Sequence, residues 1–267
     1  VTDWLPRHAS AFITPDGNGA VLLLEDKDRS IRLIDLEAQY YRAIINDSWG
    51  KTHLDDAENR VRIGNGCRDV SVVMPYSKIL AHAGNIGDIL PQEILNDSAS
   101  MRVWHRDPCD GSTATFHLPT SRRACLSAKT SESLLVSQDV INDLQAARER
   151  ALPNETGGII LGFFDFNIDK IVLVEGVEAG SDSKRSRRFF ERGVSGMREY
   201  IAEVERRTAG IVSYIGEWHS HPPRTSASQS EADVNQLRFV RDLMSEEGLP
   251  AVQLIIGDQE TSAYVHW

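Results

Sequence analysis

Apolar residues in this chain come in short runs, and the period of those runs changes along the sequence. In the first stretch, residues 21–24 and 31–36 are apolar runs on either side of the charged Glu25, Asp26, Lys27, Asp28 and Arg29, which predicts a hairpin. A helix is expected from 36 to 45. A strand near 70–73 leads through Pro75 to a second helix, 77–90, and Val103-Trp104 and residues 115–118 read as two more strands. The polar, basic stretch 119–130 reads as a linker. Beyond it, Ser137 suits a helix N-cap and 138–150 a helix that Pro153 ends. Residues 159–161, 171–174, 211–218, 252–256 and 264–267 read as strands. Met197, Tyr200, Ile201 and Val204 keep the i, i+3, i+4, i+7 spacing of an amphipathic helix, and Val234, Leu237, Val240 and Leu243 mark another. Mixed strands and helices make the class α/β, or mixed α+β.

At 267 residues the chain has room for two small domains, and we divide it into 1–125, a smaller α+β domain, and 132–267. The formal net charge of −10 argues against nonspecific nucleic-acid binding, because a phosphate backbone would be repelled. A local basic run, Lys184, Arg185, Arg187 and Arg188, can still grip an acidic protein surface or stand as a solvated loop. No apolar stretch approaches the roughly 20 residues of a membrane span, so no membrane partner is expected. No signal peptide is visible, and the start at Val1 is compatible with a fragment or a processed product. Three scattered cysteines, Cys67, Cys109 and Cys125, without a CxxC pair, fit a reduced, cytoplasmic protein.

The chemistry concentrates in Gly216-Glu217-Trp218-His219-Ser220-His221-Pro222. Side chains alternate along a strand, so His219 and His221 converge on one face. Neutral imidazoles so placed suit zinc. Asp233, at the start of the next helix, can fold back as a third ligand and leave a fourth position open, as in catalytic zinc sites. An HxH pair alone is more often an ordinary pair of residues than a metal site. Ser230 three residues before Asp233 and an upstream glutamate, Glu155, strengthen the metal reading. Glu155 alone would be an exposed loop carboxylate. With the downstream set it is the well-placed general base.

Glu155-Thr156-Gly157-Gly158-Ile159-Ile160-Leu161-Gly162, then His219-Ser220-His221-Pro222, then Ser230-Glu231-Ala232-Asp233, resemble the JAMM (JAB/MPN, Mov34-type) metalloprotease signature. The resemblance covers about 132–267. It implies a cytidine-deaminase-like sheet flanked by helices, Zn2+ held by His219, His221 and Asp233, Glu155 as general acid/base, and Ser230 at the oxyanion. It also implies a zinc isopeptidase or peptidase acting after the C-terminal tail of a ubiquitin-like protein. A sulfur-carrier protein of the same fold is the alternative substrate, and activating-like and conjugating-like enzymes would be partners in a bacterial system. The sequence departs from the family at the eight-residue loop 222–229, one longer than is common, and at Gln229, where proline is frequent. The first half more weakly resembles the C-terminal part of ThiF-type, ubiquitin-activating-like adenylyltransferase domains. The likeness lies in Gly64-Asn65-Gly66-Cys67-Arg68-Asp69 and the helix through Ala81-His82-Ala83. No phosphate-cradling glycine loop accompanies it, so adenylation by this chain is not expected. Cys67 reads as a buried structural cysteine ahead of a thioester-forming one.

Two rival enzymes fail on sequence. An amidohydrolase barrel needs far more chain after its HxH, and a zinc deaminase needs HxE and PCxxC. A silent scaffold that binds a ubiquitin-like protein is the rival from another class. Segment 182–192, with Phe189 and Phe190, is either a wall of the substrate groove or core packing.

Overall fold

The structure, a computed structural model, describes residues 6–55, 60–62, 70–127 and 133–267. Its contacts separate two units, Val1–Thr120 with Arg207–Ala209, and Ser121–Arg206 with Gly210–Trp267. The mixed α+β class holds in both.

In the first unit, β1 (Ala9–Ile13), β2 (Gly19–Leu24), β5 (Ser100–Arg106) and β6 (Thr113–Leu118) form an antiparallel sheet in the order β1-β2-β5-β6. The short strands β3 (Arg60–Arg62) and β4 (Val70–Val72) pair separately. The sequence 19–24, GAVLLL, is buried throughout because helices cover the sheet. One of them, α2 (Tyr76–Ile94), sets Ile86, Ile89 and Leu90 against Ala20, Leu22 and Trp104. The hairpin expected between 21–24 and 31–36 is not formed. Strand β2 turns back on β1 instead, and 31–36 enters helix α1 (Leu33–Asn46). The physical reason is the acidic connection. Glu25 and Asp26 are buried and accept hydrogen bonds from the backbone N–H groups of His8, Ile31 and Leu33, which ties this segment into a helix entry rather than a tight turn. The Gly64–Asp69 motif, with Cys67, lies outside the described residues.

The second unit is built on a six-stranded sheet in the order β14-β13-β12-β8-β9-β7. Its strands are β7 (Leu134–Val136), β8 (Gly157–Asp165), β9 (Lys170–Glu178), β12 (Ser213–Ser220), β13 (Ala251–Ile256) and β14 (Thr261–His266). A small hairpin, β10 (Lys184–Ser186) and β11 (Phe189–Glu191), branches from it. Helix α3 (Gln138–Ala151) buries Val140, Ile141, Leu144 and Ala147 against Ile160, Trp218, Leu254 and Ile256. Burying a Val, Ile or Leu side chain of this kind contributes about 1.5–3 kcal/mol, so this face anchors the sheet. Helix α5 (Glu231–Ser245) packs Leu237 and Val240 on Ala251 and Tyr264. The stripe of Met197, Tyr200, Ile201 and Val204 forms α4 (Met197–Arg207), as its period predicts.

The stretch 119–130 is not a free linker over its described part. Ala124 donates its N–H to the Val136 carbonyl (2.9 Å), Ser127 donates to Thr261 (2.9 Å), and Gln138 donates to Arg122 (2.8 Å). Ala124 and Leu126 pack against the core of the second unit. The boundary therefore falls at Thr120/Ser121, ahead of the 125/132 boundary read from polarity. Small residues interrupting a polar run carry this contact, and periodicity does not register them.

Candidate metal centre

The site grows from the register of two strands. Strand β12 runs antiparallel to β8, with His219 opposite Gly157 and Trp218 opposite Gly158, and parallel to β13, with His219 beside Ile255. Beyond the regular pairing, the Ser220 N–H donates to Thr156 (2.7 Å) and the His221 N–H to Ile256 (2.9 Å), so the extended backbone continues to His221. Continuing the β8 register sets Glu155 across from His221. Alternation then divides the residues between faces. Trp218 goes into the core and donates from Nε1 to the Val177 carbonyl (3.1 Å), while His219 and His221 share the other face.

The two glycines that open β8, Gly157 and Gly158, are required by close approach. A Cβ at Gly157 would stand 2.4 Å from the Trp218 carbonyl and 2.6 Å from the Phe190 ring, and one at Gly158 would stand 1.8 Å from the Val177 carbonyl. The ring of Phe190 occupies the space a side chain at Gly157 would take. Backbone contact extends this junction, because the Glu155 N–H donates to the Ser186 carbonyl of the hairpin at 2.8 Å.

Among the described residues, His219, His221 and Asp233 are the group whose ligand atoms converge, all within 4.8 Å of one another. The separations are 3.3 Å between the two Nε2 atoms, 3.2 Å from His219 Nε2 to Asp233 Oδ1, and 3.8 Å from His221 Nε2 to Asp233 Oδ2. A tetrahedral ion with ligands at about 2.0–2.1 Å has edges of about 3.3 Å, so the donor set fits zinc in spacing and in chemistry. The hydrogen bond from His221 Nδ1 to the Ser226 carbonyl (2.6 Å) fixes the tautomer that leaves Nε2 free for a ligand role. Asp233 is held by a reciprocal capping box. Its carboxylate accepts the Ser230 N–H (2.7 Å), and Ser230 Oγ accepts the Asp233 N–H (3.3 Å).

Electrostatics follow the packing. Burial pushes the Asp233 carboxyl up, but hydrogen bonds from His219 and His221, their charge and the Ser230 N–H outweigh it and hold the group far below the usual carboxylate range. Burial would lower His221. The Asp233 hydrogen bond, the Ser226 carbonyl and the nearby charges of Asp233 and Glu155 raise it instead. Glu155 is half-buried and its pKa is raised, first by burial and then by Asp233, with the two imidazoles opposing.

All five residues read from the sequence line one cleft of about 490 Å³: Glu155, His219, His221, Ser230 and Asp233, together with the hairpin's Arg187, Arg188, Phe189 and Phe190. Phe189 is 51 % exposed, so it is not core packing. The loop that is one residue longer than the common pattern is anchored. Ala227 is fully buried, its N–H donates to Glu260 (3.1 Å), and Gln229 donates to Gln253 (2.8 Å), which in turn donates to the Asp233 carbonyl (3.1 Å). Gln229 thus supports Asp233 where the family often has proline.

One supporting residue was not legible in the sequence. Arg148 on α3 is 4 % exposed, donates from Nε to the His221 carbonyl (2.9 Å) and pairs through Nη2 with Asp258, whose other oxygen accepts the Arg224 N–H (2.7 Å). It lies 73 residues from His221 in the chain, and an arginine late in an amphipathic helix reads as surface.

Comparison with known proteins finds similar proteins for the second half of the chain. Residues 137–266 match the family described as prokaryotic homologues of the JAB domain. A CD-NTase/cGAS isopeptidase of Enterobacter hormaechei is 29 % identical over 132 residues, 49 % of this chain and 71 % of that protein. A probable metalloprotease of Sinorhizobium fredii is 30 % identical over 108 residues, 40 % of this chain and 65 % of that protein. The solution structure of a Desulfitobacterium hafniense protein matches 49 % of this chain and 80 % of its own at 23 % identity, with a TM-score of 0.33. Over residues 137–266, just under half of its length, this chain is similar to JAB-type domains of the prokaryotic group.

Proposed function

We propose that this chain is a zinc-dependent isopeptidase or peptidase that hydrolyses the bond after the C-terminal tail of a ubiquitin-like protein. The observation that supports it best is the ligand triangle of His219, His221 and Asp233, with edges of 3.2–3.8 Å, beside a half-buried glutamate in an open cleft. His219, His221 and Asp233 would hold the ion. When bound, the ion supplies the Lewis acidity that makes water a nucleophile near neutral pH. Glu155 receives the proton of the attacking water and passes it to the leaving amine, and its raised pKa suits a group that must work in both directions. Ser230 Oγ accepts the Asp233 N–H, and a hydroxyl that accepts retains its own hydrogen to donate, here to the developing oxyanion. Sheet alternation turns the Trp218 ring towards the core and both histidines towards the cleft, where glycines in an extended tail would let it pass close to the ligands.

The test is a pair of fusions to a ubiquitin-like protein, one with its Gly-ending tail and one with the last glycine replaced by a bulky residue. The native fusion is expected to be cut by protein holding about one zinc. Glu155→Gln should retain zinc and lose about 10²–10⁴ in rate, and His219→Ala with His221→Ala should lose the zinc. Equal cutting of both fusions, or full zinc in the double variant, overturns the reading.

A further inference from the structure

The hairpin that lines the cleft carries two cations that the fold does not use. Arg187 and Arg188 are the two-residue connection between β10 and β11, and both line the cleft with Glu155 and His219. Both are exposed, and neither guanidinium has a hydrogen-bond or ion-pair partner among the described residues. Their neighbours differ. Lys184 is paired with Glu191 at 3.0 Å, and Arg192 with Glu217 at 2.8 Å. A two-residue hairpin connection favours Asn and Gly, so turn geometry does not account for an Arg-Arg pair. The pair also runs against a chain whose formal net charge is −10.

Building on the proposed hydrolysis, we infer that Arg187 and Arg188 form a specificity subsite for an acidic side chain of the substrate, close to the scissile bond. The hairpin is joined to the reaction centre through the Ser186 carbonyl, which accepts the Glu155 N–H at 2.8 Å. The arginines follow Ser186 directly. At ~3.3 Å per residue of extended peptide, their reach covers about three residues of a bound segment. Phe189, 51 % exposed on the same tip, gives that segment an apolar surface to lie on. A planar guanidinium pairs a carboxylate through two parallel hydrogen bonds, which makes arginine a reader of Asp or Glu rather than a general attractor.

The experiment uses the full zinc-loaded chain and three dye-labelled fusions that differ only within three residues of the cleaved bond, carrying an Asp-Glu pair, an Ala-Ala pair or a Lys-Lys pair. Each pair is tried on either side of the bond. The acidic fusion is expected to be cut with a kcat/KM about five- to tenfold above the alanine fusion on one side of the bond, with the gain mostly in KM. Arg187→Ala with Arg188→Ala should level the two, and Arg187→Glu with Arg188→Glu should favour the lysine fusion. Raising salt to 0.5 M should shrink the preference, because exposed charges are screened. Binding of the same sequences as peptides to Glu155→Gln protein, followed by fluorescence anisotropy, separates the two readings. If nothing is cut but the acidic peptide binds in an arginine-dependent way, the hydrolysis reading falls and the subsite stands. If neither cutting nor binding depends on substrate charge, the subsite is overturned, whether or not the bond is hydrolysed.

Discussion

At the scale of single residues, the two units show opposite uses of histidine. His219 and His221 sit where a carboxylate and a carbonyl direct their ring nitrogens into a cleft. His53 of the first unit sits where nothing does. It is 1 % exposed, packs edge-on against Trp49 (4.9 Å) and Tyr40 (5.8 Å), and neither ring nitrogen has a partner among the described residues. Burial, with the neighbouring His105 adding to it, pushes its pKa down to about 4. The folded state therefore holds a neutral ring, while the unfolded chain binds a proton below its ordinary value of about 6.5. Stability is unaffected above that value and is lost as pH falls from it towards about 4. Between pH 7 and pH 5 the loss from His53 is about 2 kcal/mol. His53→Phe, which keeps the aromatic contacts, should remove that loss, as urea unfolding of both proteins at the two pH values will show. An equal acid loss in wild type and variant would assign it elsewhere.

At the scale of elements, the site was legible wherever chemistry and local period coincide. The alternation of Trp218, His219, Ser220 and His221 was readable because strand side chains change face at every residue, and the capping box at Ser230 and Asp233 follows a local signature. What could not be read was support from distant elements. Arg148 of α3 holds the His221 carbonyl, and through Asp258 it holds the start of the loop that ends at Ser230. Arg148→Met keeps an unbranched apolar stem and removes every donor. Zinc affinity, measured by competition with a chelator, is expected to fall about 10–100-fold, as for other groups that orient a metal ligand, and Arg148→Lys should recover part of it. A variant that melts earlier but binds zinc as tightly would make Arg148 a packing residue only.

At the scale of the molecule, the boundary between units has a measurable consequence. Residues 121–267 contain the whole second sheet, its helices and the strap of Ala124, Leu126 and Ser127, so this fragment should fold and hold zinc. A fragment starting at 132 loses at least the three backbone hydrogen bonds of the strap and the packing of Ala124 and Leu126. At about 1 kcal/mol per bond the hydrogen bonds alone cost about 3 kcal/mol, which lowers Tm by roughly 6–12 °C at this size. Circular dichroism melts of the two fragments decide it, and equal Tm values would return the strap to the status of linker.

The sequence by itself determined β8, β9, β12, β13 and β14 and the helices of the second unit, though not β7 or the β10–β11 hairpin, and it singled out the two histidines on one face and the five residues that line one cleft. Those features depend on short-range rules: alternation, helical period, capping, and a glycine pair where backbone must approach backbone. Tertiary structure alone decided the rest. It set β2 against β1 rather than against 31–36, because buried Glu25 and Asp26 needed backbone donors that a tight turn could not provide. It turned a polar stretch into a strap. It also brought Arg148 to the His221 carbonyl and the Arg187-Arg188 tip to the cleft, since long-range pairing follows the packing of whole faces and leaves no local trace in the chain.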